Sequence, residues 1–285
     1  YIYNNEYRLR GFNLESIARR NRKKKIIELL ESRGTMDINT LAKELEISPI
    51  TLRRDLKDLE EQSLVTRIWG GVTLATHSIP EPPFEDRNVE NLQEKRAVAR
   101  AALTLIKPGD VIGLGGGTTA YELAKLLGNI PNIQVVTNAI NIAYLLLRLG
   151  VKIVVPGGFS REGSYNLVGD RAEELFKEIF IDKLFLGADG VDVDGGITTL
   201  NPSEARLNSI MLNSAHTVII LADYGKIGHK RLIPISSLEK VDILITDEGA
   251  PREILKKIEK KGVRVEIASL STQNGSYSQS DYKFK

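Results

Sequence analysis

From Asn91 to about Ser269, short runs of aliphatic and β-branched residues alternate with stretches in which apolar residues recur every third or fourth position. The first pattern suits strands buried on both faces, the second amphipathic helices. The spacing predicts strands at 111–114, 135–137, 153–155, 183–186, 218–222, 243–246 and 264–267. It predicts helices between most of them, among them 120–127, 139–149, 171–179, 204–213 and 252–261. Such alternation builds an α/β domain around a largely parallel sheet. No segment repeats another.

Residues 20–74 carry a different pattern, helices followed by a short hairpin. A helix over 22–33 turns Ile26, Ile27, Leu29 and Leu30 inward and ends at Gly34. Ile38, Leu41-Ala42 and Leu45 mark a short second helix, and Glu46-Ile47 a tight connection. Ser48-Pro49 then starts a third helix, Ser as N-cap and Pro at the first helical position, running to about Gln62. On it Leu52, Leu56 and Leu59 share one face, leaving Ile50, Arg53, Arg54 and Lys57 on the sides and the face turned away. Residues 64–68 and 72–74 form a hairpin with Trp69-Gly70-Gly71 at its turn. Pro80, Pro82 and Pro83 make 75–90 an extended linker. The domain order expected is an N-terminal extension at 1–19, a DNA-reading domain at 20–74, the linker at 75–90, a larger α/β domain at 91–269 and a disordered tail at 270–285.

Charge sharpens this division. The chain of 285 residues has net charge +2, but residues 1–75 hold 14 Lys/Arg against 11 Asp/Glu and the remainder 25 against 26. The small N-terminal part is the basic one, which points to a polyanion partner. The absence of cysteine excludes disulfides, thiolate metal sites and cysteine nucleophiles. Three scattered histidines (His77, His216, His229) argue against a metal centre. No apolar run is long enough for a membrane span and no signal-peptide pattern opens the chain, so the expected setting is the cytoplasm.

Two segments carry chemistry. Adjacent arginines near the start of a helix that follows a short helix-turn suit the major groove, where Arg53 and Arg54 can bond guanine edges while Thr51 and Lys57 hold phosphates. The second segment is Gly113-Leu114-Gly115-Gly116-Gly117-Thr118-Thr119, between a strand and a helix. Glycines admit a ligand close to the backbone, and a helix start offers free N–H groups and a partial positive charge, a cradle for phosphate. It lacks the Gly-Lys-(Ser/Thr) of a P-loop. It half-matches a dinucleotide fingerprint, but Thr137-Asn138 stands where a ribose-binding carboxylate belongs. Further polar or glycine clusters end later strands: Pro156-Gly157-Gly158, Gly187-Ala188-Asp189-Gly190-Val191-Asp192, Ser203-Glu204 and Asp223-Tyr224-Gly225-Lys226. Lys226 suits a phosphate; Asn138, Asp189 and Glu204 suit sugar hydroxyls.

The string INTLAKELEISPITLRRDLKDLEEQSLVTRIWGG closely resembles the helix-turn-helix of the DeoR family of bacterial transcriptional regulators. The resemblance rests on Leu41-Ala42, Ser48, Thr51-Leu52-Arg53-Arg54-Asp55-Leu56 and the Arg67-x-x-Gly70-Gly71 wing, with Ser63 in place of the usual Gly and Trp69 in place of the usual His. The larger domain resembles the effector domain of the same family, of ribose-5-phosphate isomerase-like fold, through Gly116-Gly117-Thr118-Thr119, Gly187-Ala188-Asp189-Gly190, Glu204-Ala205 and Asp223 to Gly228. Together the matches cover about residues 20–268. The resemblance implies a winged helix-turn-helix domain joined to a mostly parallel α/β domain. It implies DNA contacts at Ser48, Ile50, Thr51, Arg53, Arg54, Lys57 and Arg67. With the strand-end clusters it gives an expected effector pocket of Gly115, Gly116, Gly117, Thr118, Thr119, Thr137, Asn138, Gly158, Asp189, Gly190, Glu204 and Lys226.

A sugar-phosphate isomerase or deaminase of the same fold is the alternative. Isomerisation needs a general base and a proton shuttle. The isomerases resembled carry an acidic residue where this chain has Leu186, and a Lys before the glycine run where it has Val193-Asp194. The expectation is therefore a non-enzymatic regulator without cofactor or metal: a repressor of a carbohydrate-use operon that binds double-stranded operator DNA, is released by a phosphorylated sugar, and works as a homodimer or homotetramer away from membranes.

Overall fold

The computed structural model describes residues 19–30, 33, 36–61, 64–68, 71–74, 82–161 and 163–270, the side chains at 61, 66, 68, 73 and 74 excepted. Gly34, Ser63, Trp69, Gly70, Pro80 and the terminal stretches 1–18 and 271–285 lie outside the described residues. The chain divides into two compact units, Tyr1–Glu81 and Pro82–Lys285.

In the first unit, α1 (residues 19–30), α2 (Ile38–Glu44) and α3 (Pro49–Glu61) precede the antiparallel pair β1 (Val65–Ile68) and β2 (Gly71–Leu74). Ile26, Leu30, Leu41, Leu52, Leu56 and Leu59 meet in its core with Met36, Val65 and Val72. The Asp37 carboxylate caps α2, accepting the N–H groups of Asn39 and Thr40 at 3.0 Å. The tight connection to α3 passes through Glu46 at φ 55°, and Ile47 N–H closes back on the Ala42 carbonyl at 3.0 Å. Met36 lies across β2, its N–H and carbonyl both bonded to Val72 at 3.0 and 2.8 Å. That contact explains Gly71. It opens β2 rather than serving the turn alone, and a Cβ there would overlap the Met36 carbonyl.

The second unit begins with α4 (Phe84–Val89) and α5 (Leu92–Leu103). There follow β3 (Val111–Leu114), α6 (Thr118–Ala124), β4 (Gln134–Thr137), α7 (Ile140–Arg148) and β5 (Lys152–Val154). A small hairpin, β6 (Phe159–Ser160) and β7 (Leu167–Val168), leads to α8 (Asp170–Glu178) and β8 (Ile181–Gly187). The chain continues through β9 (Gly190–Asp192), β10 (Gly196–Thr199), α9 (Pro202–Asn213), β11 (Ala215–Leu221) and β12 (Ile233–Ser236). It closes with β13 (Ile243–Asp247), α10 (Arg252–Glu259) and β14 (Arg264–Ala268).

Seven strands form one sheet in the order β14-β13-β11-β8-β3-β4-β5, every pair parallel. Alternate residues face opposite sides, as strand geometry requires. Phe185, Ile219, Leu221 and Ile245 pack with α5, α6 and α7, while Leu184, Leu186, Ile220 and Leu244 pack with α8, α9 and α10. The result is a three-layer α/β/α unit whose strands are apolar on both faces, which is why they read as near-continuous hydrophobic runs.

All the strands expected for the main sheet are present. Helix starts lie earlier than the apolar periodicity indicated, α6 at Thr118 and α9 at Pro202, where Asn201 caps the Ser203 and Glu204 amides. The short strands β6, β7, β9, β10 and β12 carry too few apolar residues for the pattern to flag. One expectation is corrected outright: the segment read as extended linker to residue 90 is helical over Phe84–Val89. The prolines outweighed Phe84 in the pattern, yet this ring is buried edge-on between Tyr121 and Tyr165, both centroids 5.5 Å away.

Gly71→Ala should therefore destabilise the first unit by about 1–3 kcal/mol through backbone displacement at Met36. Urea unfolding followed by fluorescence of Trp69, the single tryptophan in the sequence, reads the change.

Candidate DNA-reading helix and strand-end cleft

Helix α3 starts as its residues dictate: Ser48 Oγ accepts the Thr51 N–H at 3.2 Å and lies 2.9 Å from the Thr51 hydroxyl. Both hydroxyls are thus engaged in capping the helix. Two of the acidic residues of α3, Asp55 and Asp58, pair with the basic residues of α1. Asp55 is 1% exposed and accepts from both Arg22 Nε and Nη2, with Arg19 Nε 3.4 Å away. Asp58 pairs with Lys23 at 2.7 Å and with Arg19; the Lys23 hydrogen bond, then Arg19, holds its carboxyl below the usual range. The basic run of α1 consumes these carboxylates. Arg53, Arg54 and Lys57 are left exposed on the outer side, with Ile50 at 72% exposure beside them. Arg67, exposed as well, is also engaged within the unit. Its guanidinium donates to the Arg53 carbonyl at 3.2 Å and pairs with Glu60 at 3.2 Å, tying β1 to α3.

In the second unit the chain leaves β3 toward β4 on one side, whereas β8 on the other side continues to β11. Between β3 and β8 the sheet order reverses, and open parallel sheets bind ligands in the crevice beyond the carboxyl ends at such a point. The loop after β3 holds Gly115, Gly116 and Gly117. Gly115 N–H is taken by the Phe185 carbonyl at 3.0 Å and so belongs to the sheet. The N–H groups of Gly116, Gly117 and Thr118 meet no acceptor among the described residues. Gly117 has φ 141° and caps α6, where Thr118 and Thr119 are buried. Gly187, ending β8, comes close enough that a Cβ there would lie 3.8 Å from the Gly116 carbonyl oxygen.

The other expected effector residues divide. Lys226, in the loop after β11, makes no hydrogen bond or ion pair among the described residues; Asp223 holds that loop by accepting from Gly225 N–H at 3.0 Å and Asn91 Nδ2 at 2.9 Å. Asn138 directly follows β4, its Nδ2 on the Leu167 carbonyl at 3.1 Å, while Thr137 Oγ1 accepts the Ala139 N–H at 3.1 Å. Asp189 Oδ2 is occupied by the Thr199 hydroxyl at 2.7 Å and Leu200 N–H at 3.1 Å. Gly190 and Gly158 are places of close backbone approach, to the carbonyls of His229 and Val168. Glu204 is enclosed: its Oε1 accepts from Asn166 Nδ2 at 2.6 Å, Arg161 Nε at 2.8 Å and the Ser164 hydroxyl at 3.2 Å. One oxygen of this carboxylate is thus held by three donors.

Sequence reasoning missed Lys95, Arg161 and Asn166. Lys95 is 4% exposed and caps the end of α4, donating to the carbonyls of Arg87 and Glu90, the latter at 2.6 Å. Burial pushes its pKa down to about 8, partly offset by Asp223, with Lys226 lowering it further. The sign follows from proton counting. Between pH 8 and the ordinary lysine value, unfolded Lys95 binds a proton that the folded form has released, so stability rises with pH. The stability of the wild type relative to Lys95→Met should therefore increase across that window, as chemical unfolding at pH 8 and pH 10 measures.

An outward arginine pair on a winged helical unit, in one chain with a parallel α/β unit that carries a glycine loop at its strand ends, defines a ligand-responsive DNA-binding regulator. Residues 22–78 match the DeoR-like helix-turn-helix domain and residues 90–248 the DeoR C terminal sensor domain. The chain is 36% identical over 247 residues to a putative aga operon transcriptional repressor of Escherichia coli O157:H7, covering 86% of this chain and 92% of that one. It is 28% identical over 243 residues to the glycerol-3-phosphate regulon repressor of Escherichia coli K12, covering 85% and 96%. A ribose 5-phosphate isomerase A structure from Methanocaldococcus jannaschii aligns over 48% of this chain and 55% of its own, with 23% identity and a TM-score of 0.38. The chain belongs to the DeoR family of transcriptional regulators. Among the described residues no helix is long and apolar enough to cross a membrane.

Proposed function

We propose that this regulator represses a carbohydrate-use operon in the cytoplasm and leaves its operator when a phosphorylated sugar fills the strand-end cleft. The observation that carries the DNA half is the outward placement of Arg53, Arg54 and Lys57, with Asp55 and Asp58 of α3 paired to α1. Arg53 and Arg54 read base edges; Lys57 and the start of α3 hold phosphates. Arg67 supports by fixing the wing to α3. The effector half rests on the three consecutive unpaired N–H groups at Gly116–Thr118, beyond the point where the sheet order reverses. The sugar phosphate sits there with Lys226 as counter-charge. An effector shifts DNA affinity only by binding two arrangements of the protein unequally. Helix-turn-helix proteins read pseudo-palindromes as symmetric pairs, so the working form is a homodimer or homotetramer.

Fluorescence anisotropy on DNA from upstream of the protein's own gene, with and without a panel of sugar phosphates, tests this directly. Salt-sensitive binding reversed by one phosphosugar is the expected result; binding that no phosphosugar alters overturns the effector half. Arg54→Ala should cost about 1–3 kcal/mol of operator binding and relax sequence preference, read by competition with shuffled sites. Lys226→Ala should raise the effector concentration needed for release while leaving ligand-free operator affinity unchanged.

A further inference from the structure

The cleft contains donors that the proposed function uses: the free N–H groups after Gly115. It also contains an acceptor, Asn166, that neither the proposed function nor the sequence expectation uses. Asn166 is 8% exposed and lies against the glycine loop; a Cβ on Gly116 would fall onto its amide, nearest Oδ1. The orientation of that amide is dictated by chemistry. Glu204 Oε1 can only accept, so Nδ2 must face it, at 2.6 Å, and Oδ1 must face the loop. Oδ1 meets no donor among the described residues. The Asn166 backbone is held as well, its carbonyl accepting the Arg161 N–H at 2.8 Å and its chain bridged antiparallel to Ala139.

A second amide repeats the arrangement on the same junction. Asn138 directly precedes Ala139, and its backbone carbonyl takes the Leu167 N–H at 2.7 Å. Its Nδ2 is spent on the Leu167 carbonyl, and its Oδ1 is buried with no partner, the residue being 1% exposed. Two amide oxygens thus lack donors among the described residues where the end of β4 meets the start of β7, and each amide nitrogen already donates one hydrogen bond. Of the two, the Asn138 oxygen is the fully buried one, and an unpaired buried acceptor is costly and uncommon.

We infer that Asn166, with Asn138 behind it, is the specificity-determining acceptor of the cleft. It reads hydroxyl hydrogens on the carbon skeleton of the effector, while Glu204, Arg161 and Ser164 hold its amide in the reading orientation. The inference rests on the sugar-phosphate reading above and adds to it the group that tells a hydroxylated phosphate ester from a bare dianion. The loop N–H groups attract both. An oriented amide oxygen favours only a ligand with a hydrogen to donate, and a site built around such a bond rejects ligands that lack it.

The test uses the full chain and isothermal titration with ribose 5-phosphate, fructose 6-phosphate, glycerol 3-phosphate and inorganic sulfate, a dianion with no hydrogen to donate. The wild type should bind at least one of the esters tenfold or more tightly than sulfate. Asn166→Ala should reduce that ratio at least tenfold while the sulfate Kd moves less than threefold, and Asn166→Ser, which restores an acceptor, should lose less. Circular dichroism at the titration temperature confirms the fold of each variant. Retention of the wild-type ratio in Asn166→Ala, or an equal loss for esters and sulfate alike, overturns the inference and leaves the proposed effector class standing. A wild type that prefers no ester to sulfate overturns both.

Discussion

Backbone hydrogen bonding decides where this molecule can hold a ligand. Inside a seven-stranded parallel sheet covered by helices on both faces, the peptide groups of the central strands are taken by neighbours. Polar backbone becomes available where strands end, and most of all where the loops leaving β3 and β8 part in opposite directions. The glycine run falls at that position. Its first member still belongs to the sheet through the Phe185 carbonyl, and the next residues turn their amides out of it.

Around this opening, side chains are arranged more by mutual neutralisation than by availability. Glu204 is surrounded by Arg161, Ser164 and Asn166. Asp189 serves the turn into α9. Asp223 fastens Asn91 to the Lys226 loop, and Lys95 closes the end of α4. Helix α4 is joined to the cleft elements at several points: Phe84 lies between Tyr121 of α6 and Tyr165 of the β6–β7 loop, and its N–H donates to the Gly163 carbonyl at 3.0 Å. The segment that follows residue 81 is therefore packed onto the walls of the cleft.

The DNA-reading unit follows the same principle with opposite outcome. A helix carrying four acids against three bases exposes Arg53, Arg54 and Lys57 while its Asp55 and Asp58 are matched by Arg19, Arg22 and Lys23 from α1. Removing a partner from a buried pair of this kind leaves an uncompensated charge, which is why these positions act together.

The sequence by itself determined the two-unit organisation, every strand of the main sheet, the Ser48 start of the reading helix and the glycine loop, because each is encoded in local periodicity or in a residue with one conformational use. Gly71 is a partial case: its presence was legible, but its reason is Met36, distant in the chain. Only the tertiary structure decided which charges remain unpaired. Arg67 is also tied to α3, and one carboxylate oxygen each of Glu204 and Asp189 is also held by neighbouring donors. Asn166, unremarkable in its sequence context, came to rest on Gly116. The physical reason is common to all of them. Hydrophobic periodicity records burial along one element, whereas the pairing of a polar side chain depends on which other element the fold brings opposite it.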